Sequence, residues 1–317
     1  MNPNFRAWAI VKALAWRALG FAATVAGATG LVLALFHFAP GDAIDMLPNS
    51  EEVRPLLEKE WGLGDPFAVQ YARYIGRALQ GDLGTSWTYR PGQPVTDLIA
   101  APALRSLTWS LASMALCLGL STLFAWRRHP TRWLAQGASI VPLFLLAHLA
   151  ILAFNEAAWR AMQAGWIDRP DWFALPDQPS LLRTLIAITV LAIGSGAFTD
   201  VYAEVSTQLR RIRGSAFVDA ARARGEPVGP TIAIHWVPLA AGLVAPRTSV
   251  FIGGLVILEK VLLLHGIGAI LWQAALDRDY NVAMGITVVL GTATALLQLA
   301  GDAVRIWVDP RLSSETR

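Results

Sequence analysis

The chain has 317 residues, 55% of them hydrophobic and 15% charged, with a formal net charge of +3. A soluble domain carries about 25% charged residues. Here the apolar residues gather into long blocks, so the chain reads as a polytopic membrane protein, with no nucleic acid expected as a partner. Cys117 is the only cysteine, which excludes a disulfide framework and a cysteine-built metal site.

Residues 1–17 form a basic, amphipathic leader with Arg6, Lys12 and Arg17, followed by an uncharged block from Ala18 to Phe38. That block is long enough for a first span, and the basic leader is expected to hold the N-terminus in the cytoplasm. No small-residue cleavage site follows it, so the block is expected to be retained.

Pro40 to Ala101 is too polar to lie in lipid and is expected to fold as an external helical subdomain. Ser50 can cap a helix with Glu51 and Glu52 in its first turn. Gly62 and Gly64 end it. Asp65 is expected to cap a second helix with Pro66 at its first position. Phe67, Tyr71, Tyr74, Ile75 and Ala78 give that helix one apolar face, and Gly81 closes it.

Leu104 to Trp126 is expected as span two, followed by Arg127, Arg128 and Arg132. Trp133 to Phe154 is expected as span three, kinked by Pro142. A polar loop then runs from Asn155 to Pro179. Span four runs from Leu181 to about Val205, ahead of Arg210, Arg211 and Arg213. Leu239 to Leu258 is expected as span five, interrupted by Pro246 and Arg247, and Val282 to Ala303 as span six. Glu259 to Asn281 is Gly-punctuated and charged at both ends. It reads as a short external or partly re-entrant piece. Six spans with both termini inside place the strongly basic segments on one side.

Between spans four and five lies SAFVDAARARGEPVGPTIAIHWVP, Ser215 to Pro238. Phe217, Asp219, Ala220, Ala221, Arg222, Ala223 and Arg224 fit a short helix that Gly225 stops. Pro227 and Pro230 keep a long helix from resuming at once. The segment is either a basic loop that fixes topology or a handle for a partner protein.

Charges near spans mark sites of function. Asp200 and Glu204 share a helix face at i, i+4, with Arg247 a candidate partner. They form either an acidic lining that attracts a peptide ammonium or a structural ion pair. The three lysines, Lys12, Lys59 and Lys260, lie outside any GxxxxGK[ST] pattern, so the chain carries no P-loop ATPase. His37, His129, His148, His235 and His265 are scattered and give no metal site. No catalytic constellation supports a membrane-embedded enzyme.

Several separate motifs, in order along nearly the whole chain, resemble the permeases of binding-protein-dependent ABC importers, in the dipeptide, oligopeptide and nickel group. They are PGD at Pro40 to Asp42, GLGDPFAVQY from Gly62, GDLGTS from Gly81 and SIVPLF at Ser139 to Phe144. DAARARG follows, with His235 ten positions after Gly225, then Asp279 and Tyr280, Asp302, and DPR at Asp309 to Arg311. Glu259, Gly266 and Gly268 match the family's E-x-x-F-x-x-P-G-x-G, with Leu262 and His265 replacing its aromatic and its proline. Ala203 and Ser206 stand where arginines are usual, Phe217 where Tyr is, Leu239 where Asn is frequent, and Gln298 near a usual Asn.

The resemblance implies an all-α permease with six transmembrane helices in a bacterial inner membrane, divided as 1–38 (leader and first span), 39–103 (external subdomain) and 104–317 (core). It implies that 215–238 docks into a groove on an ATPase, and that Glu259, His265, Gly266 and Gly268 form a gate-side turn. The implied partners are a second, homologous permease, two ATPase subunits that bind ATP and Mg, and an external substrate-binding protein. An ordinary turn at Glu259 remains the alternative, as does an ion-coupled secondary transporter for the whole chain.

Overall fold

The computed structural model describes residues 3–47, 50–127, 137, 140–166 and 181–308. Among them the secondary structure is helical, with α1 Pro3–Phe38, α2 Ser50–Trp61, α3 Phe67–Ala78, α4 Val95–Trp126, α5 Leu143–Gln163 and α6 Leu181–Gly194. There follow α7 Ala197–Arg213, α8 Ala216–Ala223, α9 Val228–Val244, α10 Thr248–Val261, α11 Ile267–Leu276 and α12 Tyr280–Val308. The only strand-like pairing among the described residues is an isolated bridge between Thr85 and Pro94.

Among the described residues four helices are long and apolar enough to cross a bilayer: α1 from Ala15, α4, α5 and α12 to Val304. A fifth crossing is made if α6 and α7 count as one span, although they bend by 59°. The basic leader and first span are one unbroken helix. Expectation and structure differ at three places, although the interruption expected at Pro246 and Arg247 is present. Span four is broken at Ser195–Gly196, where Gly196 takes φ +75°. In place of a span from Leu239 to Leu258, α9 starts at Val228 and runs through Pro230. The chain then makes a 3-10 turn at Ala245–Arg247 before α10. Pro230 fits in the first turn of a helix, where its missing N–H has no partner to lose. Pro142 caps α5 instead of kinking a longer helix, and α5 continues past Phe154 to Gln163. The expected span three from Trp133, and the loop beyond 166, lie partly outside the described residues, as do His129 and the closing DPR.

The chain forms two compact units. One comprises Met1–Arg17, Thr108–Leu264 and Leu296–Arg317. Its core holds Leu191, Val201, Leu209, Phe251, Leu255 and Leu258, all at most 2% exposed. Glycines bring its helices close, as small residues do in lipid. A Cβ at Gly254 would lie 2.7 Å from Leu191 and 3.0 Å from Leu143, and one at Gly194 would overlap Leu146.

The other unit comprises Ala18–Leu107 and His265–Ala295. Its core is built on Leu33, Tyr74, Tyr280 and Met284, with a second cluster around Val95, Ile267 and Ile286. The Tyr71 hydroxyl donates to Ala26 O at 2.7 Å, and Gly30 leaves room for the Tyr71 ring. Phe36 stacks on Tyr280 at 4.8 Å. Pro66, not Asp65, occupies the N-cap of α3, and the Asp65 carboxylate pairs with Arg73. Asp42 sits between Arg54 and the N–H groups of Ile44 and Asp45. Burial opposes ionisation there, but these donors outweigh it and hold the carboxyl below the usual range. Arg77 and the Gly84 N–H do the same for Asp82.

Candidate functional site

The segment 215–238 is a helical hairpin. The last turn of α7 carries Arg210, Arg211 and Arg213, at the negative end of the helix dipole. Arg213 donates to Trp126 O at 2.9 Å, and its guanidinium lies 5.6 Å from the centre of the Trp126 ring. The backbone is extended at Ser215 and then turns into α8. Gly225 ends α8 with φ +74°. The Glu226 N–H donates to Ala221 O at 3.0 Å and the Gly225 N–H to Arg222 O at 3.1 Å, which is the Schellman closure. Pro227 then caps α9.

The hairpin has two faces. Val218 and Ala221 are fully buried, whereas Asp219, Ala220, Arg222, Ala223, Arg224 and Gly225 are exposed. Phe217 stacks on His235 with centroids 4.1 Å apart, which joins α8 to α9 at that point. The arginines already have partners within the chain. Arg222 donates to Asp219 at 2.7 Å, and Arg224 makes a fork to Glu226 at 2.6 and 2.9 Å. The hydrogen bond from Arg224 holds the Glu226 carboxyl below its ordinary range. Solvent-exposed pairs of this kind exchange partners at little cost, so both guanidiniums remain available to another protein.

Glu204 and Arg247 meet at 3.2 Å, and Arg247 also donates to Leu243 O at 2.7 Å. Asp200 lies exposed one turn earlier on α7. The arrangement is an ion pair between α7 and the turn that separates α9 from α10.

Glu259 is fully buried near the end of α10. Leu263 follows with φ +53°, and the Leu264 N–H donates to Glu259 O at 2.8 Å, a Schellman closure with leucine in the glycine position. In the other unit, His265 is exposed and its carbonyl accepts from Arg105 at 2.9 Å. Gly266 caps α11, and Gly268 is buried in its first turn. The Ile267 N–H donates to the Ser106 hydroxyl at 2.9 Å. At 1.5 Å per residue α11 reaches about 15 Å, half of what a crossing needs.

In the sequence Asp279 stands out only as part of a motif, and the structure gives it much more. It is fully buried, and four donors converge on its Oδ2: Ser86 Oγ at 2.6 Å and the N–H groups of Trp87, Thr88 and Tyr89 at 2.8, 3.0 and 3.1 Å. Its Oδ1 accepts from the Val282 N–H at 3.2 Å, in the first turn of α12. The signal for the second contact was legible, because an Asp just ahead of a long apolar helix is a capping residue. Nothing in the sequence marked 86–90 as its other partner.

A family profile described as "Binding-protein-dependent transport system inner membrane component" matches residues 110–314. A provisionally named peptide permease protein of Brucella suis biovar 1 (strain 1330) is 30% identical over 307 residues, covering 90% of this chain and 93% of its own length. The oligopeptide transport system permease protein AppB of Bacillus subtilis (strain 168) is 25% identical, covering 90% of this chain and 94% of its own. The oligopeptide transport system permease protein OppB of Salmonella typhimurium is 26% identical over 274 residues, or 82% of this chain and 85% of that protein.

Proposed function

Because the chain belongs to the family of binding-protein-dependent transport system inner membrane components, we propose that it is the translocation subunit of an ATP-driven importer of peptides or similar small solutes. It is a multi-pass helical protein of the inner membrane. Both termini face the cytoplasm, and α9 with α10 makes a further, broken crossing, for six in all. ATP and Mg are bound by two separate ATPase subunits. A second, homologous permease completes the pathway, and an external binding protein delivers the solute.

One observation carries this reading: the hairpin 215–238, inside the family-matched region, buries one face and leaves its Gly225 end open. An ATPase groove takes that open face. ATP binding draws the two ATPases together, and the hairpin passes the motion to α7 and α9, which switch the cavity between inward and outward access. ATP must favour one of the two states for solute to be driven. Glu259 and the turn at His265, Gly266 and Gly268 form the gate side of the pathway. The kinship with peptide permeases favours this reading over an ion-coupled secondary transporter.

The test is Gly225→Asp. A Cβ there meets nothing within 4 Å of the chain, yet φ +74° disfavours aspartate less than most residues, so insertion should survive. The added carboxylate lies at the open face. Loss of ATPase assembly or of ATP-coupled uptake, with normal insertion, is the expected result. Unchanged ATP-dependent uptake overturns the lever role, and uptake by the chain alone on an ion gradient overturns the importer.

A further inference from the structure

We propose that Asp279 is a positioning residue that latches the segment 81–94 to the start of the last long helix, so that docking of the external binding protein reaches the gate through it. This rests on the importer reading above.

The geometry carries it. One carboxylate serves two elements at once. Its Oδ1 and its carbonyl accept from Val282 and Ala283, which makes Asp279 the N-cap of α12. Its Oδ2 fills a nest of three consecutive backbone N–H groups, Trp87 to Tyr89, with the Ser86 hydroxyl as a fourth donor. Hydrogen bonds to an ionised group are about twice as strong as neutral ones. Among the described residues no cation pairs with Asp279, so these donors and the dipole of a 29-residue helix offset the burial of its charge.

Adjacent bonds make the junction rigid. The Ser86 hydroxyl accepts from the Arg90 N–H at 2.7 Å, Thr88 Oγ1 donates to Asp277 O at 2.7 Å, and Asn281 Nδ2 donates to Thr85 O at 2.9 Å. Gly285 packs against Val95 and Leu83, leaving 2.7 Å between its would-be Cβ and Val95. Arg278, just before the latch, sits at φ +54°, a strained conformation that the surrounding closure enforces. Displacement of 81–94 therefore pulls on Asp279, which adjoins the first residue of α12 directly and is separated from α11 by two residues.

The experiment uses the complete transporter, with both permeases, the ATPases and the binding protein, in proteoliposomes. Asp279→Asn keeps the shape but faces four donors with a side chain that now carries two of its own. Expected are basal ATP hydrolysis within about twofold of the parent and a stimulation by binding protein that falls about tenfold or more. Where Asp279→Asn fails to assemble, Ser86→Ala removes two bonds of the junction and Thr88→Val one, and a graded loss of stimulation with normal assembly is the supporting result. Full stimulation in Asp279→Asn, or in both of these variants, overturns the latch. A parent complex whose uptake ignores ATP overturns the latch and the importer together, and so separates the two failures.

Discussion

Gly301 illustrates how much a single residue decides. A Cβ added there would overlap the methyl group of Ala245, at the 3-10 turn that separates α9 from α10. Asp302, next along α12, pairs with Arg17, and Arg247, two residues after Ala245, pairs with Glu204. The break is therefore seated against the last long helix with no room for even the smallest side chain. Gly301→Ala should cost about 1–3 kcal/mol through overpacking. Ala245→Gly in the same chain should recover most of the loss, because it removes the atom that collides. Thermal unfolding in detergent of both single variants and the double variant measures this. Equal additive losses would mean that the two positions do not share the contact.

At the scale of the element, six helix ends among the described residues use the same closure, four with glycine at the turn and two with a larger residue. Gly225 has the left-handed backbone that glycine adopts freely, whereas Leu263 and Arg278 hold it with a side chain attached. Leu263 is also exposed, so its side chain contributes little burial. Leu263→Gly should stabilise the end of α10 by up to about 1 kcal/mol, and Gly225→Ala should destabilise the end of α8 by about the same amount. Hydrogen exchange of the closing amides reads each locally: Leu264 N–H should slow and Glu226 N–H should speed up. Two of these positions bracket α11, beside the turn assigned to the gate.

For the whole molecule, orientation follows from where the basic segments fall. Cys117 is the only cysteine and is buried, so Cys117→Ala gives a clean background for labelling. Arg90→Cys and Ala223→Cys both place the new thiol at exposed positions. A membrane-impermeant maleimide should label position 90 in intact cells and position 223 only in inverted vesicles. Labelling of both from one side would contradict the topology, and with it the assignment of 215–238 to the ATPase.

What the sequence decided by itself is what depends on local composition and spacing. Apolar blocks fixed a helical membrane protein, because an unpaired backbone is intolerable in lipid. Gly62, Pro66 and Gly225 marked helix ends to within a residue, because each restricts or frees φ at its own position, whereas Pro227 and Pro230 did not keep a long helix from resuming at Val228. The hairpin was legible for the same reason, and its fit to the family rests on residues contiguous in the chain. What only the tertiary structure decided depends on residues far apart. The meeting of Glu204 with Arg247, the seat of Ala245 on Gly301, and the closing of 86–90 around a carboxylate 193 residues beyond Ser86 each join segments whose individual patterns are unremarkable. The bend at Gly196 belongs here too, whereas the break at Ala245–Arg247 falls where Pro246 and Arg247 interrupt the apolar run. Hydropathy averages over about 20 residues and so reads two short apolar helices as one long one. Direction changes are set by a single backbone conformation and by what packs against it.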